Sequence, residues 1–154
     1  MCSTYKASNE LIGLIKSWEG YREKAYKCPA GVWTIGWGHT GGVKEGQTVT
    51  VEQAEYLLRS DLSVFEAAIN HDSFRNGWHL TQGQFDALIS FTYNVGIGAF
   101  RNSTMFKLIC AGKLTMAASE FGRWTKAGGK ELPGLVKRRH AEREMWLYGR
   151  YVQA

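Results

Sequence analysis

The sequence predicts an α+β fold that is mainly α-helical: a small lobe of helix and β-sheet, a long connecting helix, a larger helical lobe, and a cleft between the two lobes. Apolar residues recur at helical spacing behind capping residues through most of the 154-residue chain. Glycine and β-prone residues are concentrated in residues 24–49. We expect one domain over 1–154, divided into a small lobe at about 8–49, a connecting helix at about 50–72 and a helical lobe at about 73–150.

The small lobe is predicted to begin with a helix over residues 8–18, because apolar side chains recur every three or four positions and Ser8 is a good N-cap. Glu19 follows directly and is therefore expected at the edge of this helix. Two short β-prone runs, Lys24–Cys28 and Val32–Ile35, flank a Pro-Ala-Gly turn. They predict a small antiparallel sheet.

The connecting helix is predicted to start after Thr50, which has capping-box spacing to Gln53, and to follow one apolar stripe to about His71. The same capping pattern recurs at Thr81 before another apolar run. Further helices are predicted over residues 103–111, 115–125 and 134–148.

The charge of the chain is unevenly distributed. The formal net charge is +5, and residues 123–150 carry eight Lys or Arg against three Glu. A basic face suits an anionic partner such as nucleic acid, membrane headgroups or a bacterial cell wall, but it equally suits a solvated helix surface. No apolar run approaches the length of a membrane span, so we expect no stable membrane insertion.

The cysteine and histidine patterns favour no metal or cofactor. Cys2, Cys28 and Cys110 are odd in number and widely spaced, without a Cys-x-x-Cys pair. Free thiols fit synthesis in a reducing cytoplasm. The histidines show no metal-ligand spacing.

One stretch, residues 18–40, carries the most specific pattern. Glu19 is followed nine residues later by Cys28 and six residues after that by Thr34, inside a Thr-x-Gly-x-Gly-His run. This pattern resembles the phage-type lysozymes, the muramidase endolysins of tailed bacteriophages, in which a Glu ends the first helix and an Asp or Cys and then a Thr follow at these spacings. The resemblance continues through residues 85–96, 100–103 and 133–139.

The resemblance implies a lysozyme-like fold and an N-acetylmuramidase that hydrolyses β-1,4 bonds between N-acetylmuramic acid and N-acetylglucosamine in peptidoglycan. Glu19 would be the general acid, with Cys28 and Thr34 placing or activating water. A general acid must stay protonated near neutral pH and so needs a partly desolvated site. Trp18 and Tyr21 are close enough in sequence to Glu19 to contribute to one. Cys28 has a second possible role, as a nucleophile that forms a covalent intermediate.

The resemblance also implies which side chains bind substrate. Four residues are expected to line the cleft: Tyr93, Asn94, Phe100 and Ser103. Arg138 is assigned to substrate binding as well, although the sequence does not say whether Arg138 or Arg139 faces the cleft and forms a salt bridge with Glu19.

His39 is expected to be structural near the site, because in the family the matching histidine pairs with an aspartate of the long helix, here Asp61. One rival hypothesis makes His39 the base of a thiol enzyme with Cys28 as nucleophile. That enzyme needs an environment that stabilises a thiolate, commonly at a helix N-terminus, whereas Cys28 precedes a turn. The other rivals are a non-catalytic binding module and a peptidoglycan-binding protein without activity.

The expected partners follow from the resemblance. They are peptidoglycan glycan strands, and a holin on which release depends, with no nucleic acid and no cofactor. We expect a monomer made in the host cytoplasm that acts on the periplasmic wall after the membrane is permeabilised.

Overall fold

Seven helices and two short antiparallel β-hairpins follow one another along residues 4–153, the part of the chain that the computed structural model describes. In chain order the elements are α1 (Asn9–Glu19), β1 (Arg22–Lys27), β2 (Trp33–Gly36), α2 (Val51–Asn76), α3 (Gln82–Val95), α4 (Ile97–Arg101), α5 (Thr104–Cys110), α6 (Leu114–Glu120), a 3-10 turn (Phe121–Arg123), β3 (Lys126–Ala127), β4 (Lys130–Glu131) and α7 (Pro133–Tyr148). The predicted α+β class with mainly helical content is confirmed.

Helix α1 begins where the sequence predicted. The Ser8 hydroxyl accepts a hydrogen bond from the Leu11 backbone N–H at 3.2 Å and donates one to Asp86 of α3 at 2.5 Å. The apolar face of α1 packs against α3 within the main core. The buried leucines and isoleucines of α1 join the helical core rather than the sheet. Glu19 is the last residue of α1.

The hairpin of β1 and β2 fixes which side chains share a face. Tyr26 lies opposite Thr34, and Lys27 lies opposite Trp33. Because side chains alternate along a strand, Cys28 falls on the face of Tyr26 and Thr34, and Lys27 on the other. The Lys27 ammonium is 5.4 Å from the Trp33 ring centroid. The hairpin is the one predicted, to within two residues at each strand end.

Helix α2 is capped by the predicted capping box of Thr50 and Gln53 and runs past the predicted end near residue 71. Its apolar stripe stops at Ile69 because the last turns face solvent, and Phe74 there is 70% exposed. The helix ends at Gly77, which adopts the left-handed conformation common at helix C-termini.

Helix α3 is the centre of the core and contacts α1, α2, α4 and α7. Nine of its fourteen residues are buried, more than one amphipathic face would bury. Phe91 of this helix makes edge-to-face contacts with Phe100, Phe121 and Trp124, with centroid separations of 5.4–6.4 Å.

Short elements escaped prediction. Helix α4, the 3-10 turn and the β3–β4 hairpin have two to five residues per element, too few for a hydrophobic period to show. Within residues 4–153 no helix combines the length and apolar character needed to cross a membrane. Cys28 and Cys110 are free thiols, as expected, and Cys2 lies outside the described residues.

Candidate active site

A cleft of about 580 Å³ opens between the end of α1, the loop after β2 and the helices α2 and α3. It is lined by Glu19, Gly38, Thr40, Ser60, Asp61, Val64, Phe65 and Tyr93. The lining combines two carboxylates and two hydroxyl-bearing small residues with apolar and aromatic surface. Sugar rings, which have apolar faces and hydroxyl edges, fit such a lining.

Glu19 reaches this cleft from the end of α1. Its side chain is 29% exposed, so the carboxyl group is partly desolvated yet open to the cleft. Its position is tightly bounded on the side of Gly38, where an added Cβ would lie 3.0 Å from Glu19 Oε2. Gly38 also has a φ of +83°, which residues with a Cβ rarely adopt. The Glu19 carboxyl group therefore packs against the backbone of Gly38, where a larger residue would not fit.

The structure places Arg138, and not Arg139, beside Glu19. Arg138 Nη1 is 3.4 Å from Glu19 Oε1, and its guanidinium carbon lies 4.8 Å from the Trp18 ring centroid. Arg139 points inward: its Nη1 donates to Glu142 at 2.6 Å and its Nη2 donates to Asn94. The sequence left these two arginines undistinguished.

Cys28 and Thr34 lie on the hairpin and do not line the cleft volume itself. Backbone hydrogen bonds from Val32 and Ala30 lower the pKa of the Cys28 thiol, and the Thr34 hydroxyl adds to the effect against the opposing influence of burial. The Thr34 side chain is buried, and its hydroxyl donates to the Val32 carbonyl oxygen at 3.0 Å. The sequence showed no cation that could favour a thiolate here; the turn's own amide groups do so instead.

His39 bonds at both ring nitrogens. Nδ1 lies 2.9 and 3.0 Å from the two carboxylate oxygens of Asp61, and Nε2 lies 2.9 Å from the Gly41 carbonyl oxygen. Both ring nitrogens therefore face oxygen atoms. The predicted pairing of His39 with Asp61 is present, and both nitrogens are engaged by groups other than Cys28.

Tyr93 and Asn94 occupy different surroundings although they are adjacent. Tyr93 lines the cleft and meets Phe65 edge-on at 5.5 Å. Burial raises the pKa of the Tyr93 phenol, and the negative charges of Glu19 and Asp61 raise it further, so it stays a neutral hydrogen-bond donor. Asn94 is exposed and accepts the hydrogen bond from Arg139.

Phe100 and Ser103 depart from the prediction that they line the cleft. Phe100 is fully buried, with ring contacts to Phe91 and Phe106 at 6.4 and 5.3 Å. The Ser103 hydroxyl donates to the Phe100 carbonyl at 2.6 Å and accepts from the Phe106 N–H at 3.1 Å, as the N-cap of α5. Both side chains are occupied by packing and capping, and neither is among the residues that line the cleft.

Several cleft residues were missed from the sequence. Ser60 and Thr40 carry no pattern that distinguishes them from other small polar residues. Val64 does carry a signal, since it is an apolar residue off the buried stripe of α2 and is 65% exposed. Within residues 4–153 no group of three or more His, Cys, Asp or Glu side chains is placed to hold a metal ion.

Comparison with known proteins gives the same result at three levels. The family model for phage lysozyme matches residues 16–142. An endolysin of Bacillus phage B103 is 47% identical over 141 residues, covering 90% of this chain but 52% of that protein, so the chain spans about half the length of this relative. An endolysin of Acyrthosiphon pisum secondary endosymbiont phage 1 is 44% identical over 143 residues, covering 90% of this chain and 96% of that protein.

A solved structure agrees with these relatives. The muramidase domain of SpmX from Asticaccaulis excentricus superposes with a TM-score of 0.84 at 41% identity, covering 93% of this chain and 98% of that domain. The match extends over both hairpin and helices, which confirms the lysozyme-like architecture expected from the resemblance.

Proposed function

We propose a reaction from one premise: the chain belongs to the phage lysozyme family, which makes it a glycoside hydrolase of the lysozyme type. The reaction is hydrolysis of the β-1,4 bond between N-acetylmuramic acid and N-acetylglucosamine in bacterial peptidoglycan. Glu19 protonates the leaving glycosidic oxygen. The chain is thus an endolysin domain that opens the host cell wall.

The observation that carries this proposal is the position of Glu19. It combines partial desolvation with access to a cleft whose opposite wall is formed by α2 and α3. A general acid needs that combination, because desolvation favours the protonated carboxyl group while the open side admits the glycosidic oxygen. The neutral phenol of Tyr93 on the same cleft supplies a hydrogen-bond donor for a sugar hydroxyl.

Cys28 and Thr34 complete the proposed mechanism by placing the attacking water. They share one face of the hairpin, and the Thr34 hydroxyl keeps lone pairs free to accept a hydrogen bond from that water. Water attack opposite the leaving group gives inversion at the anomeric carbon. The lowered pKa of the Cys28 thiol also favours the other role, a thiolate nucleophile, which would give retention.

The thiol-enzyme hypothesis based on Cys28 and His39 loses support from the hydrogen bonds of His39. Its two ring nitrogens are engaged by oxygen atoms of Asp61 and Gly41 rather than by the thiol. No observation favours a protein that only binds, because the proposed acid Glu19 lines the cleft.

The biological setting of the proposal follows the endolysin relatives. The substrate is the glycan strand of peptidoglycan, and the enzyme acts as a monomer without a cofactor or nucleic acid. It is made in the host cytoplasm and reaches the periplasmic wall after a holin permeabilises the membrane. Arg138 contributes to substrate binding through its position beside Glu19.

Replacing Glu19 by Gln tests the proposal. The variant keeps the shape of the side chain and removes the acid, so lysis of permeabilised Gram-negative cells should fall by about 10²- to 10⁴-fold. Glu23→Gln is the matched control, because Glu23 is an exposed carboxylate on β1 and its loss should leave lysis unchanged. Mass spectrometry of purified peptidoglycan after digestion identifies the bond that is cut. Near-normal lysis by a folded Glu19→Gln protein would overturn the assignment.

A further inference from the structure

Behind the cleft, α7 carries a carboxylate that the proposed reaction does not use. Glu142 is completely buried, with its Oε2 accepting from the Ser90 hydroxyl at 2.5 Å and its Oε1 from Arg139 at 2.6 Å. Burying a charge is costly unless partners compensate for it. Burial raises the pKa of Glu142 above its ordinary range, although the guanidinium groups of Arg139 and Arg138 and these hydrogen bonds act in the opposite direction.

We propose that Glu142 is a positioning residue for the reaction: it holds Arg138 back from the Glu19 carboxyl group and so limits how strongly this cation favours the ionised form of Glu19. The inference rests on the proposed role of Glu19 as general acid. The buried Glu142 of α7 would then help to set the pH range of activity.

The geometry of Arg138 connects the two carboxyl groups. Its Nε is 3.5 Å from Glu142 Oε2, and its Nη1 is 3.4 Å from Glu19 Oε1. Its Nη2 donates to the Ser90 carbonyl oxygen at 3.0 Å. The Arg138 Nε–H is buried and has no hydrogen-bond partner among residues 4–153, so Glu142 holds this end of the guanidinium by charge rather than by an ideal hydrogen bond. Arg138 thus lies between a buried carboxylate and the carboxyl group at the cleft.

This arrangement answers a problem of the proposed reaction. A cation next to Glu19 favours the ionised carboxylate, but a general acid must carry its proton. The other groups near Glu19 are Tyr93 of α3, which stays neutral, and Asp61 of α2, which is paired with His39. Arg138 is therefore the cation whose effect on Glu19 must be limited, and Glu142 contacts Arg138 on the side away from Glu19.

The test is the pH profile of kcat/KM on soluble peptidoglycan fragments at fixed ionic strength. Glu142→Gln removes the carboxylate that holds Arg138 back with little change of shape, so Arg138 can approach Glu19 and Glu19 should lose its proton at lower pH. The alkaline limb of the profile should move toward acid by about one unit, which is tenfold in rate at a pH on that limb. Glu144→Gln, the same change two residues along α7 at a partly exposed position, should leave the limb in place.

A double variant separates positioning from simple destabilisation. An effect that acts through the position of Arg138 is lost with Arg138→Gln, so adding Glu142→Gln to that variant should move the limb no further; a direct effect of the Glu142 charge on Glu19 would move it equally in both backgrounds, and that result overturns the positioning role. A purely structural role would instead lower activity in both backgrounds without moving the limb. That result, or an unmoved limb in a folded Glu142→Gln protein, overturns the inference.

Folding of the variants is checked by circular dichroism before any profile is read. If Glu142→Gln does not fold, Glu142→Asp carries the test, because it keeps the charge and withdraws it from Arg138 by one methylene. A smaller shift in the same direction, absent in the Arg138→Gln background, supports the inference; an unmoved limb overturns it. Failure of the proposed function is distinguishable, since then Glu19→Gln would stay active, whereas failure of this inference leaves Glu19→Gln inactive.

Discussion

Substituting Gly38 by Ala tests how closely the backbone holds the proposed acid. The residue has a φ of +83°, and a left-handed conformation costs an alanine roughly 1–2 kcal/mol of folding free energy. For a chain of this length that lowers the melting temperature by about 2–8 °C. In addition the new Cβ would lie 3.0 Å from Glu19 Oε2 and 3.4 Å from Glu19 Cδ, so the carboxyl group must move by a few tenths of an ångström.

The activity loss should exceed the stability loss. A displacement of about 1 Å at a reacting group costs on the order of 100-fold in rate, so a few tenths should cost kcat about tenfold. The control is Gly42→Ala: Gly42 has a φ of +68°, but an added Cβ there meets nothing within 4 Å among the described residues. Both variants should lose similar stability, measured by thermal denaturation, and only Gly38→Ala should lose kcat at a temperature where both are folded. Full activity in Gly38→Ala, or an equal loss in Gly42→Ala, would refute the reasoning.

Three further predictions concern other parts of the molecule. His39→Asn removes the hydrogen bonds of His39 to the Asp61 carboxylate and should cost about 1–3 kcal/mol of stability while leaving substantial activity at low temperature; activity lost without any fall in melting temperature would instead place His39 in the catalytic set. In a variant with Cys28 as its only cysteine, the lowered thiol pKa means more thiolate at a given pH, so the rate of alkylation by iodoacetamide should reach half-maximum at a lower pH than in an unstructured cysteine peptide. Alkylation should abolish activity while Cys28→Asp stays active and unaffected, and NMR should show an inverted first product; a retained anomer with an adduct on Cys28 would make it the nucleophile. The exposed cations of residues 123–150 should make activity on whole walls fall with salt more than activity on short soluble fragments, and equal responses for both substrates would count against a role in wall binding.

Local signals predicted the elements that position the proposed acid. Ser8 and Thr50 are caps with good N-terminal chemistry, and both helices begin where those residues indicate. The Pro-Ala-Gly turn between two β-prone runs predicted the hairpin, whose register places Tyr26 opposite Thr34. These inferences hold because each depends on a few neighbouring residues whose geometry the backbone fixes.

Side-chain direction in the helical lobe could not be predicted in the same way. Phe100 and Ser103 occupy positions that the resemblance linked to the cleft, yet a short helix and its cap turn them into the core. Glu142 looks like a surface residue in a basic amphipathic helix. It is buried because α7 packs along α3, a contact between segments about fifty residues apart that no local pattern records.

The same packing changes what the charge of the last segment means. Counted along the chain, residues 123–150 present eight cations and three glutamates, which predicted a basic face. Arg138 and Arg139 are buried around Glu142, so two of these cations and one glutamate belong to the interior. Arg123 is exposed but paired with Glu120 at 2.8 Å. The cations that remain for an anionic wall lie on the β3–β4 hairpin and the outer face of α7, whereas the buried pair faces the cleft or the core. Helix α7 therefore carries two groups of charges, one exposed and one buried. The Debye length is about 10 Å at 0.1 M salt, and salt screens buried charges much less than exposed ones. Salt should therefore weaken the attraction of the exposed cations to an anionic wall first.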